Sequence, residues 1–224
     1  MTTTPQLTHP AIIDATVAYV KQELQGAEGG HDWWHIYRVW QQAKQIALHE
    51  DVNLLVVELG ALLHDIADSK FHGGDEELGP AKAAAFLEAQ DVAEEVTEAV
   101  TQIIRHISFK GGNHARTYWS PELAVVQDAD RLDAMGAVGI ARAFNYGGFK
   151  NRPLYDPAIA PDMQMSKEAY KSSAAPTINH FYEKLLLLKD RMNTPSGKAL
   201  AASRHAFMEQ YLEQFYSEWN GQAK

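Results

Sequence analysis

The sequence predicts an all-α fold. Apolar residues recur at helical rather than alternating spacing along most of the chain, and the periodic stretches are bracketed by N-cap residues, prolines and glycine pairs. No segment has a convincing strand pattern, a repeat at fixed period or a low-complexity tract.

The first helix is expected from about Pro10 to Leu24, with Ile12, Ile13, Ala15, Val17, Val20 and Leu24 at helical spacing before Gly26 and the Gly29-Gly30 pair. Asp32 then reads as the N-cap of a helix to about His49, placing His35 in the first turn and Arg38 and Val39 one turn on. Asn53 caps a third helix, LLVVELGALLHDIAD, which is apolar nearly all round apart from Glu58 and is therefore a buried one. His64 and Asp65 fall in its last turn. There a carboxylate meets both desolvation and an unfavourable macrodipole, and a bound cation is the simplest compensating partner.

Further helices are expected at about Pro80 to Gln90, with proline first, at Val92 to His106, and at Pro121 to Leu132 with Ser120 as cap. Ala137 to Tyr146 is another, ended by Gly147-Gly148, and the last two run from about Pro176 to Met192 and from Pro195, capped by Thr194, to Trp219. Two connections are long enough to suspect a function: SFKGGNHARTYW (108–119) and GGFKNRPLYDPAIAPDMQM (147–165). Both carry Lys or Arg with Gly and an aromatic residue, which suits a rim over an anionic ligand or a solvated connector.

The 224 residues suffice for one full core, read here as a single domain over 1–224. Hydrophobic residues make up 46% and charged residues 22%, an ordinary globular balance. No apolar run approaches the roughly 18 residues of a membrane span and no signal core follows the N-terminus, so no membrane association and a cytoplasmic location are expected. With no cysteine, any metal must be held by His and carboxylates. Twenty-nine acidic against 20 basic residues give a net charge of −9, the wrong sign for wrapping a nucleic-acid polymer. A small phosphorylated ligand stays open, because a few local Lys or Arg beside a metal overcome a negative average field.

Three separated pieces read together as a metal centre: His35 in DWWHIYRVW, His64-Asp65 in LGALLHDIADSK and Asp130 in VVQDADRLDAMG. Two neutral imidazoles and two carboxylates suit a borderline-to-hard divalent ion. This H…HD…D order, with the first His in an HxxRV setting and the last Asp in DADRLD, resembles the HD-domain superfamily of metal-dependent phosphohydrolases. The resemblance covers about 30–145, and the INHFYEKLLLLKDRMNT segment with the long helix after it is similar to the small stand-alone bacterial branch.

The resemblance implies an HD-domain helical bundle with additional C-terminal helices over about 146–220. It also implies one divalent ion (Mn, Co, Ni, Fe or Mg) held by His35, His64, Asp65 and Asp130. Asp130 is preferred to Asp128 because the family ligand directly precedes the basic residue, here Arg131. Asp68, three residues beyond Asp65, takes the role of orienting or deprotonating the attacking water, against the alternative of a helix cap. Arg38, Lys70, Lys110 and Arg131 are candidate substrate-binding cations, Arg38 being equally readable as a salt-bridge partner. His106, ending an apolar helix before a Gly-rich loop, is a phosphate contact or proton donor, or else a partly buried helix-end histidine.

The other histidines divide similarly. His31 reads as a cap or outer-sphere group, His72 and His114 as loop surface, and His9, His49 and His205 as surface. His180 and Lys184 share a helical face from which they could reach a pocket. Trp33-Trp34, Phe181-Tyr182 and Leu185–Leu188 read as core. The implied activity is hydrolysis of a phosphate ester or anhydride of a small phosphorylated metabolite, most plausibly a nucleotide, by metal-activated water. A nucleoside triphosphate pyrophosphohydrolase or a nucleotide phosphatase would fit. The competing readings are a di-iron HD oxygenase and a non-catalytic nucleotide-binding module, and exposed aromatics in the C-terminal helices leave room for a homodimer.

Overall fold

The computed structural model describes residues 9–26, 32–67, 75–107, 118–164 and 174–222, which are helical with no strand among them. Asp68, Lys70, His72, Lys110, His114 and His31 lie outside the described residues, as does all but the end of the 108–119 connection. The chain divides into two compact units, Met1–Ala129 and Asp130–Lys224.

The first unit holds α1 (His9–Glu23), α2 (Trp33–Ala47), α3 (Leu54–Leu63), α4 (Leu78–Ala89), α5 (Glu94–Ile107) and most of α6 (Pro121–Asp133). Local capping sets several of these starts. Asp32 Oδ1 accepts the His35 amide at 3.0 Å, Asn53 Oδ1 accepts from Leu55 and Val56, and Ser120 Oγ accepts the Leu123 amide. The apolar α3 packs against α1, α2 and α5, and every residue from Val56 to Leu63 is buried.

Glu58 is the one acid on the buried part of α3, 8% exposed, and both its oxygens have donors. Trp40 Nε1 donates to Oε2 at 2.7 Å, and His9 Nε2 lies 3.2 Å from Oε1. These partners offset the desolvation that a buried carboxylate incurs. The exposed His9 thus ties the start of α1 to the middle of α3.

The second unit holds the end of α6, α7 (Gly136–Phe149), α8 (Thr177–Glu183), a 3-10 helix (Leu185–Arg191) and α9 (Pro195–Trp219). Thr194 Oγ1 caps α9 by accepting the Gly197 amide at 2.9 Å. α9 packs on α7 and on the 3-10 helix, and α8 on both of these. Asp133, almost fully buried, receives Arg142 Nη1 at 2.6 Å.

Five expectations need correction. α3 stops at Leu63, with residues 64–67 in a turn, so His64 and Asp65 lie just past the helix. α4 starts two residues before Pro80, which still sits in the first turn, where a missing N–H costs nothing. α7 runs through Gly147-Gly148 to Phe149, because Gly147 meets Thr177 of α8 where a Cβ would collide with the threonine Oγ1. The expected Pro176–Met192 helix breaks at Lys184 and continues as the 3-10 helix. Trp34 is 61% exposed and Leu187 is exposed, so neither is core.

Replacing Gly147 with alanine tests that close approach. The added methyl forces α7 and α8 apart or Thr177 off its rotamer, at a cost of about 1–3 kcal/mol. A thermal unfolding curve should show a clearly lowered midpoint, whereas Gly148→Ala, where a Cβ meets nothing within 4 Å, should change little.

Candidate metal centre

Capping and burial deliver the site's side chains. The Asp32 cap fixes the first turn of α2 and with it His35, which is 3% exposed; His64, 8% exposed, follows directly on the buried α3. His64 Nδ1–H donates to the carbonyl of Ala61 at 2.8 Å, since a carbonyl can only accept. That bond satisfies one of the orphan carbonyls at the end of α3 and fixes the neutral ring's tautomer. The Nε2 lone pair of His64 is then left pointing at His35, whose own Nε2 lies 3.3 Å away, with the rings 72° apart.

Asp130 completes the group from the last turn of α6, a continuous helix that begins in the first unit. His35, His64 and Asp130 each offer one ligand atom, all within 4.8 Å of one another. The fit to a cation can be judged on these distances. Adjacent ligands on an octahedral ion with bonds of about 2.1 Å stand about 3 Å apart, close to the observed Nε2···Nε2 separation. A backbone carbonyl holding the far nitrogen of a ligating imidazole is also the usual outer support of a metal site. The donor set, two imidazoles and a carboxylate, suits a borderline-to-hard divalent ion.

The remaining sequence candidates fall as follows. Asp65, half-buried in the turn after α3, is not in the three-atom cluster. Asp128 is fully buried and also outside it, so of the two DAD carboxylates it is Asp130 that joins the histidines. Arg38 is half-buried one turn beyond His35 on α2. Arg131 has a structural task, its Nη1 donating at 2.6 Å to the Arg191 carbonyl at the end of the 3-10 helix. His106 ends α5 half-buried, its Nδ1–H donating to Gln102 O at 2.9 Å and its ring against Tyr118. In the neutral form its Nε2 is therefore an acceptor, and donating a proton requires the imidazolium.

The HD domain family matches residues 33–135, which contain His35, His64, Asp65 and Asp130. Relatives extend the likeness over nearly the whole chain. Bacillus subtilis YpgQ is 38% identical over 204 residues, 91% of each chain. The crystal structure of an HD-superfamily hydrolase from Bacillus thuringiensis is 44% identical, covers 96% of this chain and 100% of its own, and has a TM-score of 0.78. The chain belongs to the HD superfamily of metal-dependent phosphohydrolases. A crystal structure of B. subtilis YpgQ in complex with ADP is 36% identical, covers 95% and 97% of the two chains, and has a TM-score of 0.75. No helix among the described residues is long and apolar enough to cross a membrane.

Arg152 lies inside the 147–165 segment, which the sequence reads as either a rim over an anionic ligand or a solvated connector. His180, on α8, is half-buried, and burial, with Lys184 and Arg152 adding to it, pushes its pKa down to about 3. The ring is thus neutral in the folded chain at neutral pH.

That depression has a definite sign for stability. Below about pH 6.5 the unfolded chain takes up a proton at His180 that the folded chain refuses until about pH 3. Stability therefore falls as pH is lowered through this window, from this group alone. Urea unfolding at pH 7 and pH 4.5 should show a smaller loss for His180→Gln than for the parent; an equal loss would mean that the ring is not held neutral.

Proposed function

We propose that this hydrolase cleaves a phosphate ester or anhydride in a small phosphorylated metabolite, specifically a nucleotide, as a nucleoside triphosphate pyrophosphohydrolase or nucleotide phosphatase. The convergence of His35, His64 and Asp130 carries this reading, and ADP bound to the related YpgQ supports the choice of a nucleotide. One divalent ion, Mn, Co, Ni, Fe or Mg, would be held by His35, His64, Asp65 and Asp130. Asp65 enters the set from its place beside His64 and from the family resemblance. When bound, such an ion polarises a phosphoryl oxygen and makes water acidic enough to act as a nucleophile near neutral pH.

The chain's own residues supply the rest. His64 is locked by Ala61 O in the tautomer that presents Nε2, so no reorganisation of that ring is needed when a cation enters. Asp68 orients or deprotonates the attacking water by the family resemblance. His106 contacts a phosphate as imidazolium, or passes a proton to the leaving group from the same protonated form. Arg38, Lys70, Lys110 and Arg131 neutralise charge on the phosphoryl group in flight.

The decisive measurement is release of phosphate and pyrophosphate from nucleoside mono-, di- and triphosphates by metal-stripped protein resupplied in turn with Mn²⁺, Co²⁺, Ni²⁺ and Mg²⁺. Activity should return with metal and fall by about 100-fold or more in His64→Ala and Asp65→Ala, both retaining helical circular dichroism. An Asp65→Ala protein of full activity would sink the mechanism. Two irons per chain with oxygen uptake, in place of phosphate release, would move the chain to the oxygenase reading.

Metal binding offers an independent check. Calorimetry should find one divalent ion per chain for the parent and a much weakened site in His35→Ala. Replacing Ala61 with glycine keeps its carbonyl and should leave the stoichiometry unchanged.

A further inference from the structure

The candidate ligand Asp130 stands in the last turn of α6, which ends at Asp133. The final carbonyls of a helix have no intrahelical donor, so this turn is the part of α6 most prone to fray. The chain leaves it sharply. The Ala134 amide donates to Arg131 O at 3.1 Å and the Met135 amide to Leu132 O at 3.0 Å, each three residues back. Gly136 follows with a φ of 68°, in the left-handed region that glycine enters without a Cβ penalty, and α7 begins.

Into this corner α9 sends Arg204, half-buried and 72 residues on. Its Nη1 donates to the Leu132 carbonyl, a second donor on that oxygen. Its aliphatic stem lies over Gly136, where a Cβ would stand 3.1 Å from the arginine Cγ. The neighbouring residues of the turn are tied as well: Arg142 Nη1 to Asp133 Oδ2 at 2.6 Å, and Arg131 Nη1 to Arg191 O at 2.6 Å. All of these residues, Asp130 included, belong to the second unit. Arg204 differs from the other two arginines in gripping the backbone of α6 itself, two residues beyond Asp130. A cation at a helix C-terminus also opposes the partial negative charge gathered there.

We propose that Arg204 is a positioning residue for Asp130: by holding the Leu132 carbonyl it fixes the last turn of α6, and with it the carboxylate that meets His35 and His64. A metal ligand must be held within about 0.5 Å of its working place, and a fraying turn does not do that unaided. Arg204 touches neither metal nor substrate in this role and acts only through the backbone of α6. The assignment rests on the metal centre formed by His35, His64 and Asp130, and does not need turnover.

The test is calorimetric titration of the full-length protein with Mn²⁺, Co²⁺ and Mg²⁺ in turn, which reads affinity without hydrolysis. Arg204→Met keeps a stem over Gly136 but has no donor and no charge, and its dissociation constant should rise roughly tenfold. Arg204→Lys keeps the charge and an N–H donor and should stay within about threefold of the parent. The direction is diagnostic. Loss of a positive charge by itself favours binding of a cation, so weaker binding in Arg204→Met reports a displaced ligand. Arg204→Gln, polar but two bonds shorter, gives the same reading should the methionine variant fail to fold. Unchanged metal affinity in the folded Met or Gln variant, with only a lower unfolding midpoint, would overturn the assignment and leave Arg204 a purely structural residue. A parent that binds none of the three ions would overturn the metal centre itself and this assignment with it, so the two failures are told apart.

Discussion

The hydrogen bond from His64 Nδ1 to Ala61 O is the interaction on which the candidate metal centre depends. A neutral imidazole has one proton to place, and a carbonyl left unpaired at the end of α3 claims it. The other nitrogen must then present a lone pair, and it does so toward His35 Nε2. Both rings are buried, and the two Nε2 atoms lie 3.3 Å apart. The site thus follows from a helix ending at Leu63 rather than running on: past the last turn, the side chain of His64 can reach back to its own helix. Had α3 continued, the Ala61 carbonyl would have been taken by a backbone amide one turn on.

How much of this was legible depends on whether the cause was local. Asp32, Asn53, Ser120 and Thr194 were readable as caps because a cap is a contact within three residues, and all four make the expected bond. Asp130 was separable from Asp128 by the family pattern, and it is Asp130 that meets the histidines. The glycine pair 147–148 misled for the opposite reason. Taken alone it signals a helix end, but Gly147 is there so that Thr177, thirty residues on, can approach. The break at Lys184 has no local marker at all: the apolar run Leu185–Leu188 would suit a continuing helix, and the chain tightens instead into 3-10 geometry. Trp34 was read as core on its type, yet the buried positions of α2 are His35, Ile36, Val39, Ala43 and Ile46, and Trp34 lies off that stripe.

The same contrast explains Arg131. A basic residue after a family ligand reads as a substrate cation, and the sequence cannot show that one terminal nitrogen of Arg131 closes the 3-10 helix at Arg191. Such a bond does not remove the charge, and it restricts where the guanidinium plane can lie.

Family membership constrains the chemistry more than the substrate, since one scaffold serves several reactions and the site alone decides among them. Here the decisive quantity is charge placement. Any phosphorylated ligand brings negative charge into a chain that is itself strongly acidic, so it can be held only where the average field is locally reversed. One divalent cation reverses it over a few ångströms, which is enough for the phosphoryl group under attack. A polyphosphate is longer than that, and its remaining charges need cations carried by the protein, held by structure rather than supplied by solvent.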